Sequence, residues 1–175
     1  MKKTIVIYYS LTGSNAFLAG QIAQRINCDT EAIRPVINVH LLMLMGIGLG
    51  IRSLQNNLAA YEQVILCGPI WMGKFIYPLK QFVKKYGHQI RELQFITCCG
   101  SSDQMKEEKF GHGLVFRQIQ KLLPETRLQC TAFPIPLILT SEQLQDDKKV
   151  METRLNAANF NGKILDRFNE FMHNL

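Results

Sequence analysis

Ser10, Thr12, Gly13, Ser14 and Asn15 fall in one short run, S-L-T-G-S-N, and bring hydroxyls, an amide and the N–H groups of a glycine turn to one place. At the start of a helix such a set can hold a phosphate. The first helical N–H groups lack intrahelical partners, and the helix dipole favours negative charge there. Gly13 supplies the backbone freedom for a close approach. The run also suits a plainer task, because Ser14 or Asn15 can serve as a helix N-cap. Two other phosphate motifs are excluded, since the chain contains neither G-x-G-x-x-G nor a G-K-[ST] terminus to this turn.

A second run, G-P-I-W-M-G at 68–73, holds Trp71, the only tryptophan. On a glycine-flanked loop it can stack on a planar ligand or anchor the loop to the core. A third, C-G-S-S-D at 99–103, ends on Asp103, which suits a ligand contact or a helix cap. Other constellations are weak. His40, His88, His112 and His173 have no metal-ligand spacing, and neither H-E-x-x-H nor G-x-S-x-G occurs. His112 is expected on a solvated helix. Asp146 and Asp147 stand near a helix start and there complement its dipole. Cys28, Cys67, Cys98, Cys99 and Cys130 form no C-x-x-C and read as reduced structural thiols. The adjacent pair Cys98 and Cys99 points to opposite faces of a strand.

The elements that must position these runs follow from periodicity. T-I-V-I-Y-Y from Thr4 is a buried strand, and Phe17, Leu18, Ile22 and Ile26 mark the amphipathic helix after it. A weaker strand lies within Cys28–Ile33. Val36–Ile51 is strongly apolar with three glycines, and it is shorter than the roughly 20 residues of a membrane span. It reads as a helix packed on the sheet, with a lid or a lipid or subunit contact patch as the alternatives. Arg52–Tyr61 reads as a polar helix. Gln63–Gly68 is a second buried strand. Phe75–Tyr86 is a helix with Ile76, Leu79, Phe82 and Val83 on one face, ended by Gly87. A strand at Leu93–Cys99 and a helix from Lys106 to Leu123 follow. Arg127–Leu139 reads as the last strand, interrupted or at an edge because of Pro134 and Pro136. Ser141 is expected to cap a C-terminal helical region divided at Asn161-Gly162.

Strand and helix alternate throughout, which predicts one parallel sheet covered on both faces by right-handed crossovers. Ligands of such sheets bind beyond the carboxyl ends of the strands. The runs at 10–15, 68–74 and 99–103 all follow strands and so converge on one edge.

At this point the chain resembles the flavodoxin family. Its phosphate loop, S/T-x-T-G-N/S-T, is matched at Ser10, Thr12, Gly13 and Ser14, with Asn15 in place of the usual threonine. The family's G-T/S-P-x-W/Y-x-G and following P-x-x-x-F are matched by Gly68, Pro69, Trp71, Gly73, Pro78 and Phe82. The resemblance implies a three-layer α/β/α, doubly wound five-stranded parallel sheet of order 2-1-3-4-5 over a single domain, 1–175. It also implies non-covalent flavin mononucleotide (FMN), with phosphate on Ser10, Thr12, Gly13, Ser14 and Asn15. Pro69, Ile70, Trp71, Met72 and Gly73 would flank the flavin ring, and Cys99, Gly100 and Ser101 would meet its pyrimidine edge.

Two features depart from electron-carrying flavodoxins. The third loop has no second aromatic, which opens one flavin face to a nicotinamide, quinone or other substrate. The formal net charge is +6, where those carriers are typically acidic. One unit charge at about 8 Å and an effective dielectric of about 20 is worth roughly 2 kcal/mol, so charge reversal raises the potential or selects an acidic partner. The expected function is electron transfer through bound FMN, exchanging with a redox protein or a small donor or acceptor. The alternatives are an FMN-dependent NAD(P)H or quinone oxidoreductase, including a protoporphyrinogen-oxidase-like enzyme suggested by F-V-K-K at 82–85, and a fold that has lost its cofactor and acts through 36–51. Hydrophobic residues at 47% and charged residues at 19% indicate a globular protein. No signal peptide, membrane span or basic-aromatic nucleic-acid motif is read, so a cytoplasmic location is expected, with homodimerisation or surface contact through 36–51 open.

Overall fold

The computed structural model describes residues 2–37, 45 and 47–175. Five parallel strands form the main sheet: β1 (Thr4–Tyr8), β2 (Asp29–Ala32), β3 (Gln63–Cys67), β6 (Glu92–Cys99) and β7 (Arg127–Pro134), in the order β2-β1-β3-β6-β7. This is the expected 2-1-3-4-5 arrangement. Between β3 and β6 a small antiparallel hairpin, β4 (Ile70–Trp71) and β5 (Lys74–Phe75), is added. Among the described residues the helices are α1 (Ser14–Ile26), α2 (Tyr77–Tyr86), α3 (His112–Leu122), α4 (Asp147–Glu152) and α5 (Gly162–His173).

The alternation of side chains along each strand builds two cores. Ile5, Ile7, Val64, Leu66, Leu93 and Phe95 pack with Leu79, Phe82 and Val83 of α2 and with Val115 and Ile119 of α3. Val6, Ile65, Cys67, Ile96 and Cys98 face Leu18, Ala19 and Ile22 of α1 and Ile164, Phe168 and Phe171 of α5. β1, β3 and β6 are largely buried on both faces because both are covered, whereas β2 at the edge exposes Asp29 and Thr30.

Several expected boundaries shift. Arg52–Tyr61 is not a helix; only Leu58–Ala60 makes a 3₁₀ turn. The Glu31 carboxylate accepts from the backbone N–H of Gln55 and Asn56 and from Asn56 Nδ2, and so holds that backbone open. α2 ends at Gly87 as expected, although that residue keeps right-handed backbone, φ −54°, and leads into a second 3₁₀ turn; the helix starts at Tyr77 and not at Phe75, which lies in β5. β7 stops at Pro134 and a 3₁₀ turn, Ile135–Ile138, replaces its expected end. The C-terminal region is capped by Asp146, whose Oδ1 accepts from Lys149 N, and not by Ser141; α4 and α5 are separated by residues 153–161. The helix or lid expected at Val36–Ile51 falls largely on 38–44 and 46, outside the described residues. Its flanks meet at an antiparallel bridge, Pro35 with Ile51. Tyr77 Oη donates to Gly48 O at 2.7 Å and accepts from Gly50 N at 2.9 Å.

Tyr61 Oη donates to Asp29 Oδ2 at 2.6 Å, and this bond, with burial adding to it, pushes the phenol up to about 12. The folded value lies above the ordinary 10.0. The contact's stabilisation is therefore complete below that ordinary value and is lost as pH rises through the folded one. A phenolate absorbance titration is expected to show a late tyrosine, besides Tyr9, which burial also raises, that disappears in Tyr61→Phe and moves back toward the ordinary value in Asp29→Ala. An unmoved titration in Asp29→Ala would rule the contact out as the cause.

Candidate functional site

The carboxyl ends of β1, β3 and β6 carry the three runs to one edge. Tyr9 N donates to Cys67 O at 2.9 Å and Gly68 N to Ile96 O at 3.0 Å, so the first residues of adjacent loops continue the strand ladder.

In the first loop Gly13 takes φ +97°, a backbone conformation that favours glycine, and is the N-cap residue of α1 without any side-chain cap. Ser14 and Asn15 do not cap the helix. Ser14 Oγ accepts from Leu155 N at 3.0 Å. Asn15 Oδ1 accepts from Cys98 N at 2.9 Å, and its Nδ2 donates to Cys98 O at 3.4 Å. Both side chains are buried and tie the helix start to the rest of the edge. Thr12 and Gly13 are exposed and Ser10 half-buried, with Ser10 Oγ accepting from Gly13 N at 3.2 Å. No acidic residue lies in the first turn of α1. The loop's own polar groups are thus hydroxyls and helix-start N–H groups, with no carboxylate among them. That donor set fits a phosphate.

The second loop is the β4–β5 hairpin. Met72 at φ +48° and Gly73 at φ +66° give positive φ at both central residues, the type I′ signature that matches strand twist. Gln118 of α3 pins this hairpin: its Nε2 donates to Gly73 O at 3.0 Å and its Oε1 accepts from Phe75 N at 3.2 Å. Trp71 is half-buried and packs against the core, so its ring is held at the loop's base while Met72 is exposed. Pro69 and Ile70 are half-buried beside it.

In the third loop Gly100 is exposed, Cys99 is buried and Ser101 half-buried. Burial pushes the Cys99 thiol up to about 11, and Cys98 and Cys67 rise for the same reason, so all three stay protonated near neutrality. Cys98 joins the α1/α5 core while Cys99 Sγ turns toward Ser101 and His112, as strand alternation requires. Asp103 neither caps a helix nor stands free: it pairs with Arg167 of α5, with Nη1 3.0 Å from Oδ1 and Nη2 on Oδ2. The Arg167 hydrogen bond holds its carboxyl below the usual range. Ser102 Oγ instead accepts from Met105 N.

Sequence reasoning missed His112. It is 2% exposed, at the first position of α3, because residues 103–111 form turns and the helix starts six residues later than expected at 106. Gly111 and Gly113 beside it were the available signal, since the turns close so tightly that a Cβ on Gly111 would lie 2.1 Å from Lys106 O.

The fold is thus an open, doubly wound α/β sheet with the three loops at the carboxyl edge of its strands. Its architecture is the flavodoxin-like fold. A flavoprotein from Lactobacillus acidophilus in complex with FMN superposes with TM-score 0.62 at 15% identity, covering 75% of this chain and 93% of that one. A Bacteroides eggerthii protein gives 0.63 at 20% identity over 86% and 94%. An NADPH-quinone reductase from P. pentosaceus gives 0.52 at 16% over 89% and 100%. No protein-family model and no curated protein sequence matches the chain.

Proposed function

We propose that this chain binds FMN non-covalently at the 10–15, 68–73 and 99–101 loops and transfers electrons through it. The observation that carries the reading is the first loop: Ser10 is half-buried and Thr12 and Gly13 exposed immediately before α1, whose first turn holds no acidic residue. Ser14 and Asn15 contribute through their backbone, since their side chains are spent on Leu155 and Cys98. Trp71 lies against the flavin ring, and the backbone of Pro69–Gly73 and Cys99–Ser101 flanks it. Bound there, the flavin supplies the electron-carrying chemistry, while these residues fix its place and potential. The neighbour in complex with FMN supports the cofactor choice. The net charge of +6 favours an acidic redox partner.

A second reading is an FMN-dependent NAD(P)H or quinone oxidoreductase. It is favoured by the third loop, where Gly100 is exposed and no aromatic stands between Gly100 and Asp103. Purified protein titrated with FMN is expected to quench flavin fluorescence, and riboflavin, which lacks the phosphate, to bind more weakly. Trp71→Ala is expected to weaken FMN by on the order of tenfold, the value of an aromatic contact of about 1.4 kcal/mol. Equal affinity for riboflavin and FMN would overturn the phosphate assignment, and absence of quenching the whole reading. Anaerobic NADH or NADPH then separates the two functions: rapid bleaching marks the reductase, and persistent yellow flavin the carrier.

A further inference from the structure

His112 is a buried titratable side chain for which cofactor binding has no use, and its two ring nitrogens face different surroundings. Nδ1 lies 3.0 Å from Ser101 Oγ and 3.9 Å from Cys99 Sγ. Nε2 lies 4.0 Å from Asp103 Oδ1. The ring also lines a cavity of about 320 Å³ beside β7, whose wall includes Lys106, Gln129, Arg167 and Glu170. A cavity of that size with polar walls has room for water. On the other side Ser101 is half-buried on the third loop, at the edge assigned to the flavin.

We propose that Ser101 and His112 form a proton relay joining the third loop to this cavity, so that electron uptake at the cofactor is matched by a proton drawn from solvent. The relay rests on the FMN reading. Ser101 Oγ gives its proton to the acceptor at the loop surface and takes the Nδ1 proton of His112; Nε2 takes a proton from cavity water. One proton enters, one leaves, and the imidazole is left as its Nε2–H tautomer. On reoxidation the proton returns by the same route and restores the Nδ1–H form. The relay moves no electrons; these come from the NAD(P)H or reduced partner protein of the redox cycle and leave to its quinone or partner acceptor.

The surroundings keep His112 in the neutral form that this exchange requires. Burial pulls its pKa below the ordinary value, and Lys106 and Arg167 add to that, while Asp103 and Glu107 oppose it. The start of α3 also disfavours an imidazolium. Cys99, from β6, is a neutral thiol here. The competing role is purely structural: the ring packs on Phe116, with centroids 5.3 Å apart.

Two measurements separate the roles. In FMN-free protein, nitrogen NMR of the imidazole is expected to show a neutral His112 with its proton on Nδ1; a ring locked as the Nε2–H tautomer, which has no Nδ1 proton to give Ser101, overturns the relay. In FMN-loaded protein, rapid mixing with reduced methyl viologen delivers electrons without protons, flavin absorbance follows electron uptake, and an indicator dye follows proton uptake. The two coincide in the native protein. In His112→Gln, for which unchanged FMN affinity is expected and checked by flavin quenching, and in Ser101→Ala, proton uptake is expected to lag by on the order of tenfold or more. Coincident uptake in both variants overturns the relay and leaves the FMN reading intact, whereas absence of FMN binding overturns both. Should His112→Gln fail to fold, Ser101→Ala, on a half-buried loop, carries the test.

Discussion

Asn15→Ala is expected to lower the melting temperature by roughly 4–16 °C, from a loss of about 2–4 kcal/mol at about 2–4 °C per kcal/mol for a chain of this size. Asn15 is 4% exposed and satisfies both backbone polar groups of Cys98 from a different element. Alanine leaves that buried N–H and C=O unpaired, at about 1–3 kcal/mol for each group. The longer bond, 3.4 Å to Cys98 O, sits at the low end of that range. The damage reaches the site as well, because this pair holds the start of α1 against β6, so FMN affinity is expected to fall with stability. Asn15→Asp is not expected to restore the protein: one carboxylate oxygen can accept from Cys98 N, but the other then faces a carbonyl oxygen. Thermal unfolding followed by circular dichroism reads the effect. A melting temperature within about 2 °C of the native protein, less than 1 kcal/mol by the same conversion, would show that water replaces these bonds.

Gly111→Ala is expected to destabilise the fold by about 2–3 kcal/mol, as forced overpacking typically does. The added Cβ would lie 2.1 Å from Lys106 O and 2.2 Å from Met105 O. Both obstacles are backbone, so no rotamer change relieves them. Gly111 has φ −69°, a value open to any residue, and the constraint is therefore one of space alone. The turns from 103 to 111 must open, and His112 moves with them. Gly20, within α1, is the contrasting position: it is exposed and a Cβ there meets nothing within 4 Å. Gly20→Ala is expected to stabilise the protein by about 0.5–1 kcal/mol through helix propensity. Urea unfolding of the two variants is expected to give midpoints on opposite sides of the native value; two shifts of the same sign would refute the packing argument at Gly111.

The legible parts of the fold are those in which local pattern and burial agree. β1, β3 and β6 read as strands because both of their faces are covered, leaving mostly apolar runs, although Gln63 opens β3 and Gln94 and Thr97 interrupt β6. α2 kept its expected core face through Leu79, Phe82 and Val83. Arg52–Tyr61 failed because its backbone is held by Glu31, a residue on another strand and outside any local window. The late start of α3 failed for a related reason. Lys106–Phe110 has ordinary helical residues, yet Gly111 N donates back to Glu108 O and Gly113 N to Lys106 O, closing turns instead.

The doubly wound strand order came with the flavodoxin resemblance. The sequence by itself determined a parallel α/β sheet covered on both faces and which loops stand at the carboxyl edge of its strands, the first of them with residue types that suit a phosphate. Alternation, helical spacing and the types of residue after each strand are local properties, and they suffice for that. Only the tertiary structure decided what each site side chain does. Ser14 and Asn15 turned inward to Leu155 and Cys98, Asp103 was taken by Arg167, and His112 became a buried neighbour of Ser101. The partners Leu155, Cys98 and Arg167 lie 141, 83 and 64 residues away. A side chain's role at an edge is set by whichever distant group arrives there needing a hydrogen bond or a counter-charge, and chain spacing carries no record of that arrival.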